Sequence, residues 1–79
     1  MNTSNEREVT QMADRWTTYW WEITDEDSDM CGEEFFTELK NATRKDHEKY
    51  VQTLFRGVKV NCYGKVSATE AEMMGLDTY

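Results

Sequence analysis

The segment from residue 16 to residue 24, which reads WTTYWWEIT, constrains the fold of this chain more than any other feature. All of its residues except one glutamate are aromatic or β-branched. Such side chains lose rotamer freedom in a helix and pack well on a pleated sheet. We therefore predict a strand, with Tyr19, Trp21 and Ile23 on one face and Trp20 on the other.

A continued helix is the alternative for this segment. The preceding residues favour a helix over Asn5–Arg15 that is capped by Ser4 or Asn5. Apolar side chains at helical spacing extend that pattern into the aromatic segment, namely Met12, Trp16, Tyr19, Trp20 and Ile23. If the whole region were helical, the chain would fold as a small all-α bundle.

The acidic run Asp25-Glu26-Asp27-Ser28-Asp29 follows, and its residue types favour a turn. Short Asp and Ser side chains hydrogen-bond nearby backbone amides and so compete with regular structure. A turn at this place predicts a hairpin whose second strand is Met30–Phe36. Gly32 is a candidate bulge within that strand.

The middle of the chain predicts a helix. Thr37 is a candidate N-cap, and apolar side chains recur at steps of three and four residues up to about Arg56. Gly57 suits the left-handed residue that closes a helix. A break at Thr43, with a fresh start of the helix there, is the alternative, because Thr43 and Asp46 have the spacing of a capping pair.

The C-terminal third predicts a strand and a short helix. Val58, Val60 and Cys62 alternate with polar residues, which indicates a half-buried strand, and the aromatic strand is its expected partner. Further on, Ser67-Ala-Thr-Glu70 matches a capping box and opens a helix that ends at Gly75.

Together these elements predict an α+β fold, a small antiparallel sheet of about three strands with a helix packed on one face and short flanking helices. A chain of 79 residues is too short for two cores, so residues 1–79 are expected to form a single compact domain. No apolar run is long enough to span a membrane, and the polar start lacks the apolar stretch of a signal peptide. We therefore expect a cytoplasmic protein.

Charge is distributed unevenly along the chain. Residues 22–38 carry eight carboxylates and no basic residue, whereas residues 39–65 carry seven basic residues and only two acidic ones. Carboxylates without a local countercharge repel one another and so lower the stability of the fold, which favours a functional reason for their presence. On a strand, carboxylates at alternate positions lie about 6.6 to 6.8 Å apart. Phosphates along one DNA strand lie about 3.4 Å apart, so a two-stranded acidic hairpin approximates part of that charge lattice.

The leading functional hypothesis is a small acidic inhibitor that binds a basic nucleic-acid-binding protein or complex, such as a host defence nuclease complex. The small size and the acidity would fit a protein encoded by a phage or another mobile element, acting in the cytoplasm of the host cell. The expected partner-binding residues are the eight carboxylates and one aromatic anchor: Glu22, Asp25, Glu26, Asp27, Asp29, Glu33, Glu34, Glu38 and Trp21.

Two other classes of function stay open. A self-associating structural or regulatory module would use the surplus tryptophans in a homodimer, with the acidic segment as a solubilising surface. A small nucleic-acid-binding regulator would use Lys40, Arg44, Lys45 and Lys49. A net charge of -7 argues against direct binding to nucleic acid or to an anionic membrane, and we expect neither.

The Asp25-x-Asp27-x-Asp29 pattern is similar to the start of a calcium-binding loop. The glycine that such a loop needs is replaced by Met30, and the closing carboxylate is replaced by Phe36. A solvated turn is therefore the preferred interpretation, and no metal is expected.

Cys31, Cys62 and His47 are a second candidate set, for zinc or for a thiol nucleophile. Neither a Cys-x-x-Cys pair nor a paired histidine accompanies them. We expect His47 to be an exposed helix residue and the cysteines to be free thiols. No phosphate-binding loop or nucleophile motif occurs, so neither an enzyme nor a cofactor is expected.

Overall fold

The computed structural model describes residues 15–79. The helix expected over Asn5–Arg15 lies outside this range apart from Arg15. The described elements are three strands and two helices, in the order β1 (Trp16–Ile23), β2 (Glu34–Lys40), α1 (Arg44–Leu54), β3 (Val60–Val66) and α2 (Ala68–Met74). The strands form one antiparallel sheet in the order β2-β1-β3. The α+β prediction is confirmed, and the all-α alternative is wrong.

The aromatic segment is the central strand of this sheet. Trp21 of β1 lies opposite Phe35 of β2 and Cys62 of β3. Aromatic and β-branched pairs across neighbouring strands are the contacts that stabilise an antiparallel sheet. A central strand has a neighbouring strand on each edge, so aromatic and β-branched side chains stabilise it by packing against both neighbours.

The two faces of the sheet differ in what they carry. Trp21, Ile23 and Phe35 lie on the face that α1 covers, and they form the buried core with Val51 of that helix. We call this the helix face. The opposite face carries Trp20 with Glu22, Glu34 and Glu38, and we call it the carboxylate face.

The second strand starts later and ends later than the sequence predicted. The prediction was Met30–Phe36, and the strand is Glu34–Lys40, since residues 28–33 form successive turns. Thr37 is not an N-cap. Its side chain is fully buried in the middle of β2, where a β-branched residue suits the sheet.

The later helix start at Thr43 is confirmed. The Thr43 side chain accepts a hydrogen bond from the backbone amide of Asp46, and the Asp46 carboxylate accepts one from the backbone amide of Thr43. These reciprocal bonds satisfy amides at the helix start that have no partner within the helix. They also hold the pKa of Asp46 below its usual range.

Irregularities of the sheet lie elsewhere than expected. Gly32 sits in the turns before β2, with a φ of 93°, and is not a bulge in a strand. The register shifts instead between β1 and β3, where Trp21 pairs with Cys62 but Trp20 pairs with Gly64. Gly64 has a φ of 128°, which glycine adopts without steric cost, so it suits this bulge.

The C-terminal strand lies later than predicted, since Val58 precedes β3, whereas the helix after it agrees with the prediction. Ser67 and Glu70 form the capping box of α2, and Gly75 ends that helix in the left-handed conformation. The following residues then run beside β2. The amide of Phe36 donates to the carbonyl of Asp77 at 2.8 Å, and the amide of Tyr79 donates to the carbonyl of Phe36 at 2.8 Å. The outer edge of β2 is thereby covered.

His47 was expected to be exposed, and this prediction is wrong. The side chain of His47 is fully buried on the helix face. Its Nε2 lies 2.7 Å from the Thr17 hydroxyl, and its Nδ1 lies 2.7 Å from the Thr37 hydroxyl. The imidazole therefore joins α1 to β1 and to β2 through two partners that lie far from it in the sequence.

The neighbouring hydrogen bonds decide which ring nitrogen of His47 carries the proton. The Thr17 hydroxyl donates to the carbonyl of Ala42 at 3.0 Å, so it accepts from Nε2. The Trp21 indole donates to the Thr37 oxygen at 2.8 Å, so the Thr37 hydroxyl hydrogen is available to Nδ1. A neutral imidazole protonated at Nε2 satisfies every one of these groups.

If Nδ1 carried the proton, both Nδ1 and the Trp21 indole would donate to the Thr37 oxygen. The hydroxyl hydrogen of Thr37 would then have no acceptor in this chain of hydrogen bonds. Burial also disfavours the charged ring and lowers the pKa of His47 below 6.5, against a smaller opposite effect from Asp46. Because the folded pKa is depressed, the neutral ring stabilises the fold above about pH 6.5, and this contribution is lost as the pH falls through the folded pKa.

The free energy of unfolding should therefore decrease between pH 7.5 and pH 5.5, measured by urea unfolding at constant salt. His47 is the only histidine of the chain. The variant His47→Gln should be destabilised by about 1 to 3 kcal/mol at pH 7.5 and should show a smaller decrease over the same range. An equal pH dependence in both proteins would contradict the buried neutral ring.

Candidate functional site

The structure divides the eight predicted carboxylates into two groups. Five lie in the connection between β1 and β2, which we call the acidic loop: Asp25, Glu26, Asp27, Asp29 and Glu33. The other three lie on the carboxylate face: Glu22, Glu34 and Glu38. Because the loop joins the two strands that carry the second group, both groups belong to one hairpin.

Trp21 does not belong to this surface. Its side chain is only 2% exposed and packs in the core on the helix face. The indole also donates to Thr37, so outward rotation would break a buried hydrogen bond. The prediction of Trp21 as the partner-binding anchor is corrected for this reason: the side chain is already used to hold the fold.

Trp20 and Tyr63 form the aromatic element of the carboxylate face. Their ring centroids are 4.3 Å apart with an interplanar angle of 35°, so the two rings form a tilted contact. Tyr63 is 48% exposed and Trp20 is partly exposed. Alternation along β1 placed Trp20 on this face, and alternation along β3 could have found Tyr63, but the sequence did not show that the two rings meet.

Each ring is tied to a carboxylate. The Trp20 indole donates to Glu34 at 3.0 Å, and the Tyr63 hydroxyl donates to Glu22. The bond to Glu22 is the main reason why the pKa of Tyr63 is raised above 10.0, since ionisation of the phenol would remove the donor and add a second negative charge.

Glu22 and Glu34 are directly opposite each other in the register of β1 and β2. Like charges at directly opposed positions destabilise an antiparallel pair. The two aromatic donors reduce this repulsion, but they do not neutralise the charge. The carboxylate face thus holds two negative charges and two aromatic rings side by side on one stretch of sheet.

One carboxylate of the acidic loop, that of Asp25, holds the loop in place. The Asp25 carboxylate accepts hydrogen bonds from the amides of Asp27, at 3.0 Å, and Lys59, at 3.2 Å. These bonds lower the pKa of Asp25 and fix the loop to the residue before β3. Glu26, Asp27 and Asp29 are exposed at the tip of the loop.

The basic residues of α1 lie on the other side of the sheet from the carboxylate face. The helix packs on the helix face, so the sheet separates it from Glu22 and Glu34. Arg44 pairs instead with Glu48 of its own helix, at 3.4 Å. Arg44, Lys45 and Lys49 line a groove between α1 and β3.

The candidate metal and thiol residues are not brought together. His47 is buried, Cys31 is exposed before β2, and Cys62 is half-buried on β3. Among residues 15–79, no group of three or more His, Cys, Asp or Glu side chains has an arrangement that could hold a metal ion. Within the same range, no helix is both long and apolar enough to cross a membrane.

Comparison with known proteins adds no relative: the sequence matches no protein-family model, and neither a curated protein nor a solved structure matches it.

The pKa of Tyr63 provides a test of the carboxylate face. In the variant Glu22→Gln, the phenol loses the carboxylate to which it donates, which is the largest cause of its raised pKa, so its pKa should fall toward that of an ordinary tyrosine; Glu34 still raises it to a smaller extent. The measurement is a pH titration of the tyrosine ring carbons by NMR. The exposed carboxylate Glu72 serves for the control, since Glu72→Gln should leave the Tyr63 titration unchanged. An unchanged titration in Glu22→Gln would contradict the bond.

Proposed function

We propose that this chain is a small inhibitor that binds a basic, nucleic-acid-handling protein and occupies its nucleic-acid-binding surface. The observation that carries the proposal is the arrangement on the carboxylate face, where the rings of Trp20 and Tyr63 are in contact and each donates to one of two opposed carboxylates, Trp20 to Glu34 and Tyr63 to Glu22. The acidic loop extends the same negative surface beyond the sheet.

The chemistry of this face suits arginine and lysine side chains. A guanidinium group stacks on an aromatic ring and also donates to carboxylates, so it would find both contacts here. The exposed part of Tyr63 supplies ring surface, and Glu22 and Glu34 supply the charge. Arginine and lysine are also the residues with which proteins contact nucleic-acid phosphates, so such a surface would compete for the same groups.

The energetic cost within the fold supports the same interpretation. Glu22 and Glu34 repel each other across the strands, and the sheet would be more stable with an uncharged side chain at either position. A binding partner with positive charge would remove that repulsion on association. Electrostatic complementarity of this kind accelerates encounter and is weakened by salt.

A cytoplasmic location and an origin in a phage or mobile element remain parts of this proposal, as does a target in a host defence nuclease complex. They rest on the small size and acidity of the chain, with a net charge of -7 in 79 residues. The proposed role is binding without catalysis, and it requires no cofactor or metal.

The partner can be identified by affinity capture from a lysate, at low and high salt, with nuclease treatment, followed by mass spectrometry. The proposal predicts a basic nucleic-acid-handling protein that is retained after nuclease treatment and lost at high salt. The purified partner should then lose its bound DNA or RNA when this protein is added. Capture of the chain alone would favour the self-associating module.

Matched variants locate the binding surface. The pair Glu22→Gln/Glu34→Gln removes two charges but keeps two hydrogen-bond acceptors, and it should weaken binding to the purified partner at least about tenfold, or about 1.4 kcal/mol. The pair Glu72→Gln/Asp77→Asn removes the same charge from exposed positions in the C-terminal segment, where Glu72 lies at the Glu38 end of the carboxylate face, and it should change affinity much less. Asp25 is kept intact because it fixes the acidic loop.

Trp20→Ala removes an aromatic ring but leaves every carboxylate in place, so it tests the contribution of the ring alone. It should also weaken binding to the partner. Isothermal titration calorimetry measures each affinity, and circular dichroism confirms that each variant is folded. Equal loss of affinity in the two charge pairs would show that only net charge matters, and it would contradict a site on the carboxylate face.

A further inference from the structure

The two outer edges of the sheet differ in whether other backbone covers them. The edge of β2 is covered by the C-terminal residues, which hydrogen-bond to Phe36. The sheet ends on its other side at β3, and within residues 15–79 no strand pairs with the outer edge of β3. In an antiparallel ladder, the amides and carbonyls of alternate residues point away from the partner strand, and such an edge can pair with another chain.

A groove runs beside this edge. His47 fixes α1 to Thr17 of β1 and Thr37 of β2, so the helix lies over that half of the sheet and leaves the β3 half of the helix face less covered. The space between α1 and β3 is about 780 Å³. Trp21, Val60 and Cys62 contribute its apolar lining. Val60 and Cys62 belong to the edge strand itself, and Trp21 lies beside Cys62 on the central strand.

The helix wall of the groove is basic. Arg44, Lys45 and Lys49 line it, and the charge of Arg44 is partly balanced by Glu48 at 3.4 Å. Lys65 of β3 is paired with Tyr19 in the register and therefore lies on the same face of the sheet. The groove thus combines a row of backbone hydrogen-bonding groups, an apolar lining and lysine side chains.

We propose that this edge and groove bind an extended acidic peptide by strand addition. The peptide backbone pairs with the outer edge of β3. Its side chains at alternate positions then face the groove, where apolar groups meet Val60 and Cys62 and carboxylates meet Lys45 and Lys49. This binding surface is separate from the carboxylate face and does not depend on the proposed inhibition.

Charge favours this occupant over a second copy of the chain. A dimer in which two β3 strands pair antiparallel has its two-fold axis perpendicular to the sheet, so both copies of α1 lie on the same face. Lys45 and Lys49 would then approach the same lysines of the partner copy. Like charges brought together in this way weaken association.

A nucleic-acid strand fits less well than a peptide. It lacks the regular amides and carbonyls that pair with a strand edge, and a chain of net charge -7 repels a polyphosphate at long range. An acidic peptide carries fewer charges, and its backbone forms the ladder.

The test uses the full chain labelled with ¹⁵N and a peptide of the length of β3. Every second residue of the peptide, the set that faces the groove, is in turn valine and glutamate, and the residues between them are threonine. Binding should shift the amide signals of β3, and the affinity should fall with salt. Two control peptides define the mode of binding. One replaces glutamate by lysine, and the other carries N-methyl groups at alternate residues, which removes amide donors from one edge. Neither control should bind detectably.

Variants of the protein test the charge. Lys45→Gln/Lys49→Gln changes the net charge by the same amount as a single charge reversal, and it should weaken binding of the glutamate peptide at least about tenfold, or about 1.4 kcal/mol. The exposed residue Arg56 lies after α1 and outside the groove lining, so Arg56→Glu controls for a change in net charge and should have a much smaller effect.

Several results would overturn the proposal. These are binding of the N-methylated or lysine peptide with equal affinity, shifts confined to elements other than β3 and α1, and preference for a single-stranded oligonucleotide over the glutamate peptide. Protection of the outward β3 amides from hydrogen exchange in the peptide-free protein would also overturn it, because the edge would then be occupied by residues 1–14 or by a second copy. Sedimentation at two concentrations distinguishes these two occupants.

Discussion

The chain of hydrogen bonds from Trp21 through Thr37 and His47 to Thr17 is the interaction on which the rest of the structure depends. It joins the central strand, an outer strand and α1 in the interior of the helix face. Every donor in it meets one acceptor when His47 is neutral. Since a buried polar group without a partner is costly, the helix has one favourable position over the sheet, with His47 between Thr17 and Thr37.

That position of α1 determines which surfaces remain for binding. With α1 over β1 and β2, a groove stays open beside β3, and the groove carries the positive charge of the helix. The opposite face of the same sheet carries Trp20, Tyr63 and the opposed pair Glu22 and Glu34. A single β-sheet layer therefore separates a negative surface from a positive one. The negative surface suits a basic partner, and the positive surface suits an acidic one.

Local patterns in the sequence predicted much of this fold. The composition of WTTYWWEIT indicated a strand, and the capping box at Ser67 gave the start of α2. The capping pair at Thr43 was only the alternative to a start at Thr37, and it is the pair that begins α1. These signals could be read because each depends on residues within a few positions of one another. The alternation of the aromatic strand also placed Trp20 and Trp21 on opposite faces correctly.

The rest depended on contacts that are distant along the chain. Thr37 and His47 look like surface residues in the sequence, and they are buried only because Trp21 and Thr17 supply their hydrogen bonds. Alternation did not reveal which tryptophan α1 would cover, so Trp21 was predicted as an anchor in place of Trp20. The carboxylates of the hairpin were predicted one by one, but the direct opposition of Glu22 and Glu34 required the register of the strands.

A neutral His47, protonated at Nε2, fixes α1 on the sheet and so defines both surfaces. Long-range ¹H–¹⁵N NMR of the histidine ring tests this role of His47. We expect a protonated Nε2 and an unprotonated Nδ1 at pH 7, with no loss of this pattern until the pH lies below 6.5. A ring that is protonated at Nδ1, or that titrates at the ordinary pKa with both nitrogens averaged, would contradict it.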